Sequence, residues 1–486
     1  MWKLSQFTVV KNLSDRDLPT HSLIFSTRNR RCFVAGTADW QALTAGLDAP
    51  ETLPPPLQAT VRRLFHDGYI VPRDRDERAS FAAEFDTLRY GHKTLMPYVT
   101  VTTACNIGCT YCYEEGVQSQ TMKTPVVDGI IRWMERRIVE DGVTHIHPGL
   151  FGGEPLLYPE LLFEVMDKFN AMCARHGAEG DFSTSSNGVL LTDELAAALR
   201  ARGLVKAQIS IDGPEQIHDQ RRIGKKGQPS FAESLRGLRI AARHFPSVTL
   251  KINFDRHNRR HAEAVFDLMV AEGLADKISV KLETIAHQMP GSKVEHNPDY
   301  VIPPESEELA DAYLQMSLQC EARGIQVSRD TAHTTPCMFS SHHGVIFGPD
   351  GTIYKCISLV GRAEHGVGTV FDDDYDRVAY DKQMNTHKRL DECFSEACPY
   401  VPVCAGGCAY ESVVRTGHYN TRFCTRPFLE KFHYLRYLVK HEDKLRTLGM
   451  RPVTAEELAA SEVAVQPPKP RLPVLQATTS GCGSCG

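Results

Sequence analysis

YVTVTTACNIGCTYCYEEG, residues 98–116, decides the fold. Its opening, Tyr98–Thr102, is aromatic and β-branched and reads as a strand. Cys105, Cys109 and Cys112 follow in the loop at that strand's C-terminal end. Downstream, further candidate strands occur at His145–Phe151, Asp181–Ser186, Ala207–Ile211, Thr249–Phe254 and Ile278–Ile285. Helical patterns at 125–140, 159–175, 192–202, 231–244 and 260–272 separate them. Strands alternating with helices predict a parallel sheet, here rolled into a full or partial barrel. Ligands of such sheets sit at the C-terminal strand ends, so the loops after Thr102, Phe151, Ser186 and Ile211 should share one rim.

The chain around this core has 486 residues, enough for about three domains. Its 42% hydrophobic and 24% charged content is that of a soluble globular protein. There is no run of about 18 apolar residues and no charged-then-apolar signal layout at the N-terminus, so a cytoplasmic protein without a membrane partner is expected. The net charge of -5 argues against a nucleic-acid partner, which would need a basic face. Fifteen cysteines are the anomaly. In a long chain they read as metal ligands or catalytic thiols rather than a disulfide framework. Cys32, Cys173 and Cys320 are scattered and read as ordinary thiols.

Cys105-x3-Cys109-x2-Cys112 offers three thiolates, one short of the four that saturate a [4Fe–4S] cluster. An open iron makes chemical sense where a cofactor must bind it. A zinc knuckle would need a fourth Cys or His nearby, and none follows before His145. On these residues the chain resembles the radical S-adenosylmethionine (SAM) superfamily, whose hallmark is CxxxCxxC after the first strand of a (β/α)6 barrel. The resemblance covers residues 96–290 and implies roles for other positions. Gly152, Gly153 and Glu154, at the end of the second strand, would hold the SAM amino group through backbone carbonyls and the carboxylate. Tyr111 would pack beside adenine, and Ser186-Asn187-Gly188 matches a TNG-like turn. Ser210 and Arg222 would contact the ribose and the SAM carboxylate, the latter by a bidentate fork.

Seven more cysteines, Cys337, Cys356, Cys393, Cys398, Cys404, Cys408 and Cys424, lie in a Gly-punctuated stretch with little apparent room for a hydrophobic core. Gly351-x4-Cys356 and Cys398-x5-Cys404-x3-Cys408 are spaced like the SPASM domain, which carries two auxiliary [4Fe–4S] clusters. By that resemblance Cys393, Cys398, Cys404 and Cys424 complete one cluster, and Cys337, Cys356 and Cys408 hold the other, making three clusters in all. The usual CxxC is stretched here to Cys393-x4-Cys398. The three-thiol cluster is left either with an open iron or with His343 as a ligand, because sulfatase-maturing relatives have a cysteine at that position. Those relatives also place a catalytic Asp directly after the Gly-x4-Cys cysteine, where this chain has Ile357. The catalytic base is left unassigned.

The expected layout is a small α+β, winged-helix-like, peptide-recognition module over 1–90, a partial (β/α)6 TIM-like barrel over 95–300, and a linking helix region over 301–336. The SPASM domain over 337–424, a C-terminal helix over 425–465 and a Pro/Gly-rich tail over 466–486 follow. The N-terminal module either adds a leader peptide to its sheet edge or is a structural cap. Cys482 and Cys485 in the tail are a redox or metal pair, or incidental thiols. The family implies a maturase that crosslinks a side chain of a ribosomally synthesised peptide, with flavodoxin or ferredoxin as reductant. Maturation of a larger enzyme, by sulfatase-type formylglycine or amine-dehydrogenase thioether formation, is the first alternative. A non-catalytic iron–sulfur electron carrier is another, which the GGEP and Ser210/Arg222 features disfavour because a carrier needs no SAM pocket.

Overall fold

The computed structural model describes residues 1–91, 93–114, 116–285, 298–328 and 337–460; the tail with Cys482 and Cys485 lies outside them. The first residues form an antiparallel three-stranded sheet, β1 (Thr8–Leu13), β2 (Leu18–Ser26) and β3 (Cys32–Gly36), with β2 in the centre. Helices α1 (Thr37–Ala45) and α2 (Pro55–His66) pack on it through Trp40, Leu43, Val61 and Leu64. The prolines before Leu57 sit in the first turn of α2, where a missing N–H costs nothing. Helix α3 (Glu77–Tyr90), which the sequence patterns did not single out, is capped by the Asp76 side chain on the Ala79 amide.

The central sheet is the expected parallel one. Strands β4 (Tyr98–Thr102), β5 (Gly149–Gly152), β6 (Phe182–Ser186), β7 (Leu204–Ser210), β8 (Ser247–Phe254) and β9 (Ser279–Thr284) lie side by side in chain order. Helices α4 (Thr124–Asp141), α5 (Pro159–His176), α6 (Asp193–Ala201), α7 (Phe231–His244) and α8 (Ala262–Ala271) connect them. The stretch His145–Phe151 is not one strand as expected: Pro148, which has no N–H to donate, divides it into His145–Ile146 and Gly149–Gly152.

The barrel is open. β9 pairs on its far side with β10 (Gln326–Val327), and β4 pairs with β11 (Ile346–Phe347), which is followed by the antiparallel β12 (Ile353–Tyr354). The Cys-rich segment thus extends the same sheet that carries the first cysteine loop. Inward-facing positions along β7, β8 and β9 are polar, including Gln208, Ser210, Lys251, Asn253, Lys281 and Glu283, while the alternate positions are buried and apolar.

The expectation of little core in the Cys-rich region fails. Phe339, Ile346, Tyr354, Leu359, Tyr410, Val413 and Tyr419 form a core of their own, and Tyr375, Tyr380 and Tyr400 join the main one. Tyrosine rings supply the apolar area that aliphatic residues do not. The C-terminal helix expected over 425–465 is not one helix: it breaks at His441 into α10 (Arg426–Lys440) and a short helix, Glu442–Thr447, with a further turn of helix at Ala455–Ala459. α10 packs on α9 (Glu307–Glu321), with Lys431 2.7 Å from buried Asp311. The N-terminal sheet packs on this C-terminal part: Phe25 lies 5.0 Å from Tyr437 between ring centroids, and Gln6 donates to the Cys398 carbonyl.

Candidate functional site

Cys105, Cys109 and Cys112 stand within electrostatic reach of one another, and none is in a disulfide. Burial pushes all three thiols up, Cys105 to about 12, and the neighbouring thiols add to it at Cys105 and Cys112. Three neighbouring, partly buried sulfurs become thiolates together only beside compensating cationic charge, which the irons of a cluster provide. The donor set therefore fits an iron–sulfur cluster.

The loop is held by two partners. Ile107–Cys109 forms an antiparallel ribbon with Arg222–Gly224, and the Thr110 amide donates to the Arg221 carbonyl at 2.9 Å. On the other side the amides of Gly153 and Glu154 donate to the carbonyls of Thr102 and Ala104, each at 2.9 Å. The glycines are needed for this approach. A Cβ on Gly152, whose φ is +151°, would sit 2.2 Å from the Thr102 carbonyl oxygen, and one on Gly153 would sit 2.4 Å from that of Ala104.

Glu154 is fully buried and accepts from the Ser186 hydroxyl at 2.8 Å and from the amides of Asn187 and Leu156 at 2.8 and 3.0 Å. Its carboxylate thus joins the ends of β5 and β6. Asn187 in turn reaches the first cysteine: its side-chain amide donates to Asn106 Oδ1 at 2.8 Å and to Cys105 Sγ at 3.9 Å.

Asp212 is the hub of the opposite wall. It is 1% exposed, accepts from the Tyr111 hydroxyl, and takes the Asn253 amide at 2.9 Å and its side-chain Nδ2 at 3.1 Å. Arg222 Nη1 lies 3.7 Å from Asp212 and donates to the Tyr111 oxygen at 2.5 Å. Arg221 sits over the Tyr111 ring at 5.0 Å and pairs with Asp255 at 2.6 Å. Burial works against the Asp212 charge, yet Arg222 and Arg221 hold its carboxyl below the usual range. Arg222 Nε is buried without a hydrogen-bond partner among the described residues, the kind of donor an incoming carboxylate would satisfy. Ser210 ends β7 in register with Lys251.

Tyr111, Arg222, Glu154 and the two glycines therefore gather around the cysteine loop, with Ser210 at the end of the neighbouring strand. Asp212 and Asn253, which organise Tyr111 and Arg222, went unassigned. The one signal for Asn253 is an amide among the apolar residues of a strand end. Glu114, just past Cys112, was also missed. It is 8% exposed, and burial, partly offset by Arg362, pushes its carboxyl up to about 8. Arg362 comes from the Cys-rich region and donates to the Tyr113 carbonyl at 3.2 Å. The Tyr113 phenol stands within electrostatic reach of Cys112, Cys356 and Glu283. Burial would raise the Glu283 carboxyl, but Lys251 at 3.5 Å and Lys281 at 3.2 Å hold it down to about 2.

The other seven cysteines fall into two groups. Cys393, Cys398, Cys404 and Cys424 line one cavity. Cys337, Cys356 and Cys408 are mutual neighbours, and the Cys408 sulfur accepts backbone hydrogen bonds from the amides of Tyr410 and Glu411 at the start of helix 409–416. Ile357, which stands at the position of the family's Asp, packs against the small core of this region. Cys173 and Cys320 are buried in the main core, and Cys32 lies 3.1 Å from His441 Nε2.

A family model of the radical SAM superfamily matches residues 99–269. The chain is 25% identical over 325 residues to the serine-type anaerobic sulfatase-maturating enzyme of Klebsiella aerogenes, covering 63% of this chain and 77% of that one. It is 32% identical over 162 residues to the mycofactocin maturase MftC of Mycobacterium ulcerans, covering 32% of this chain and 39% of that one. In fold it is similar to anSMEcpe with bound AdoMet and a peptide, with a TM-score of 0.56 at 16% identity over 73% of this chain and 99% of that one. It is likewise similar to Streptococcus suis SuiB bound to S-adenosylmethionine, with a TM-score of 0.51 at 12% identity over 87% and 99%. Among the described residues no helix is long and apolar enough to cross a membrane. The matched domain encloses the cysteine loop and its surrounding wall: residues 99–269 are a radical SAM domain, for which SAM and a [4Fe–4S] cluster are the cofactors, and the chain is an enzyme.

Proposed function

We propose that this enzyme is a SPASM-type maturase that oxidatively crosslinks a side chain of a ribosomally synthesised peptide, through a thioether or carbon–carbon bond. The observation that carries the reading is the division of the seven C-terminal cysteines into a set of four and a set of three, with Cys356 of the latter and Cys112 both within electrostatic reach of the Tyr113 phenol. Those two sets are the ligands of two auxiliary clusters. When bound, a cluster held by Cys105, Cys109 and Cys112 together with SAM would supply the chemistry of hydrogen-atom abstraction from the substrate, and an auxiliary cluster would take up the second electron of the oxidation, with the second hydrogen leaving as a proton.

The chain's own residues prepare that event. Arg222 offers its unpartnered Nε to the SAM carboxylate, and the Gly152–Gly153 backbone faces the SAM amino group. Tyr111, fixed through its hydroxyl by Asp212, Arg222 and Asn253, presents its ring to adenine. Lys251, Lys281 and Glu283 form a charged wall of the lumen that orients the substrate residue. The outer edges of β1 and β3, unpaired among the described residues, offer a place for a leader peptide to add as a strand. A flavodoxin or ferredoxin supplies the electron, and the cytoplasm is where the enzyme works.

The test is iron and sulfide content of anaerobically purified enzyme together with SAM cleavage. About twelve irons, falling to about eight with cleavage abolished in Cys105→Ala/Cys109→Ala/Cys112→Ala, is the expected result. About four irons in the wild type would sink the two-cluster assignment. A small peptide encoded beside the gene should lose two hydrogens in mass on incubation.

A second reading, maturation of a sulfatase serine or cysteine, is favoured by the 25% identity to the Klebsiella aerogenes enzyme and opposed by Ile357. Oxidation of a sulfatase-derived peptide to formylglycine would select it.

A further inference from the structure

The loop that leads from Cys337 to β11 carries adjacent histidines, His342 and His343, and turns them toward the C-terminal end of α4. One ligand atom each of Asp141, His342 and His343 lies within 4.8 Å of the other two. We propose that these three side chains bind one divalent first-row metal ion, zinc foremost, at a site separate from the iron–sulfur clusters. Two imidazoles and a carboxylate are the donor set of such ions, with a fourth position left for water.

The surroundings are those of a built site. Tyr380 hydroxyl and His342 Nδ1 are 2.6 Å apart, which fixes that ring and leaves Nε2 as the ligand atom. Arg137 Nη1 holds Asp141 Oδ2 at 3.1 Å and so orients the carboxylate with Oδ1 left for the metal. Arg137 is itself balanced by Glu140 at 2.8 Å, so its charge does not stand alone beside an incoming cation.

The histidine loop is fastened from beneath. The buried Lys355 ammonium donates to the carbonyls of Ser341 and Gly344, Arg89 Nε donates to that of Ser340 at 2.9 Å, and the His342 amide donates to the Arg89 carbonyl at 2.8 Å. Preorganised ligands on a rigid loop are what metal affinity requires. His343 is 4% exposed, while the Asp141 side chain, 26% exposed, leaves a path for the ion. Because Asp141 belongs to the barrel and the histidines to the Cys-rich region, the ion would tie the loop bearing Cys337 to α4.

The test uses cluster-reconstituted holoenzyme incubated with zinc sulfate and passed through gel filtration. About one zinc per chain is expected, with X-ray absorption fine structure showing nitrogen and oxygen ligands at about 2.0 Å and no sulfur at about 2.3 Å. His342→Ala/His343→Ala and, separately, the isosteric Asp141→Asn should cut retained zinc at least fivefold while iron content stays at the wild-type value. No retained zinc, equal zinc in wild type and variants, or sulfur-ligated zinc overturns the proposal. Loss of iron in a His343→Ala variant with zinc unchanged overturns it as well and assigns His343 to the three-thiol cluster.

Discussion

Replacing Asp212 by Asn should loosen the whole wall that faces the first cysteine loop. The carboxylate accepts from Tyr111, from the Asn253 amide at 2.9 Å and from its Nδ2 at 3.1 Å. It also neutralises Arg222 at 3.7 Å and Arg221 at 4.0 Å, all three side chains being nearly inaccessible. An Asn that keeps its oxygen toward Asn253 turns an NH2 on the Tyr111 oxygen. That oxygen already takes Arg222 Nη1 at 2.5 Å and Asn253 Nδ2 at 3.0 Å, so a third donor goes unsatisfied. Breaking a buried ion pair by removing one partner costs about 3–5 kcal/mol. Arg221 keeps Asp255 at 2.6 Å, which places the cost at the lower end, about 3 kcal/mol.

At about 2–4 °C per kcal/mol for a domain of this size, the thermal midpoint should fall by about 6–12 °C. Differential scanning calorimetry of anaerobic holoenzyme, wild type and variant at one scan rate, measures it. Equilibrium dialysis with SAM provides the functional arm: misplacing Arg222 and Tyr111 should weaken binding by about tenfold or more, a loss of about 1.4 kcal/mol. A midpoint within about 2 °C of wild type, with SAM affinity unchanged, would falsify the hub.

Gly407→Ala places a Cβ 1.8 Å from the Phe423 carbonyl at φ +90°, so it should distort the loop between Cys404 and Cys408 and lower iron content while SAM-cluster spectra persist. Gly152→Ala should do the reverse, abolishing SAM cleavage while the irons of the C-terminal region remain, because its Cβ would strike the Thr102 carbonyl. His433, 4% exposed among Phe25, Tyr400 and Tyr437, is pushed down to about 4 chiefly by burial. The unfolded chain takes up a proton below about 6.5 that the native state refuses, so its contribution is whole above that pH and is lost as pH falls from about 6.5 toward about 4. Chemical denaturation at pH 7.5 and 5.5 should show His433→Phe removing about 1 kcal/mol of the wild type's acid sensitivity; an identical pH dependence in both proteins would show that His433 is not its source.

How much of this could be read from the chain depends on how far apart the cooperating residues lie. The three cysteines share one eight-residue stretch, and the strands and helices of the barrel follow local periodicity, so both were legible. Arg222 was legible only through the spacing of a family motif. What puts it at the cluster is a ribbon to Ile107–Cys109, more than a hundred residues away, and no local pattern encodes that pairing. Asn253 and Asp212 meet Tyr111 from β8 and from the end of β7, so their shared task exists only after the strands align. The Cys-rich core was misjudged for a related reason. Its tyrosines are spread between positions 354 and 419 and count as a core only when β11 and β12 join the barrel sheet. That same joining accounts for the chemistry proposed. The Cys-rich segment adds β11 alongside β4, whose C-terminal end leads into the first cysteine loop, and Arg362 then reaches back to the Tyr113 carbonyl. The two thiol sites are thereby parts of one continuous scaffold, with the Tyr113 phenol within electrostatic reach of Cys112 in one and Cys356 in the other.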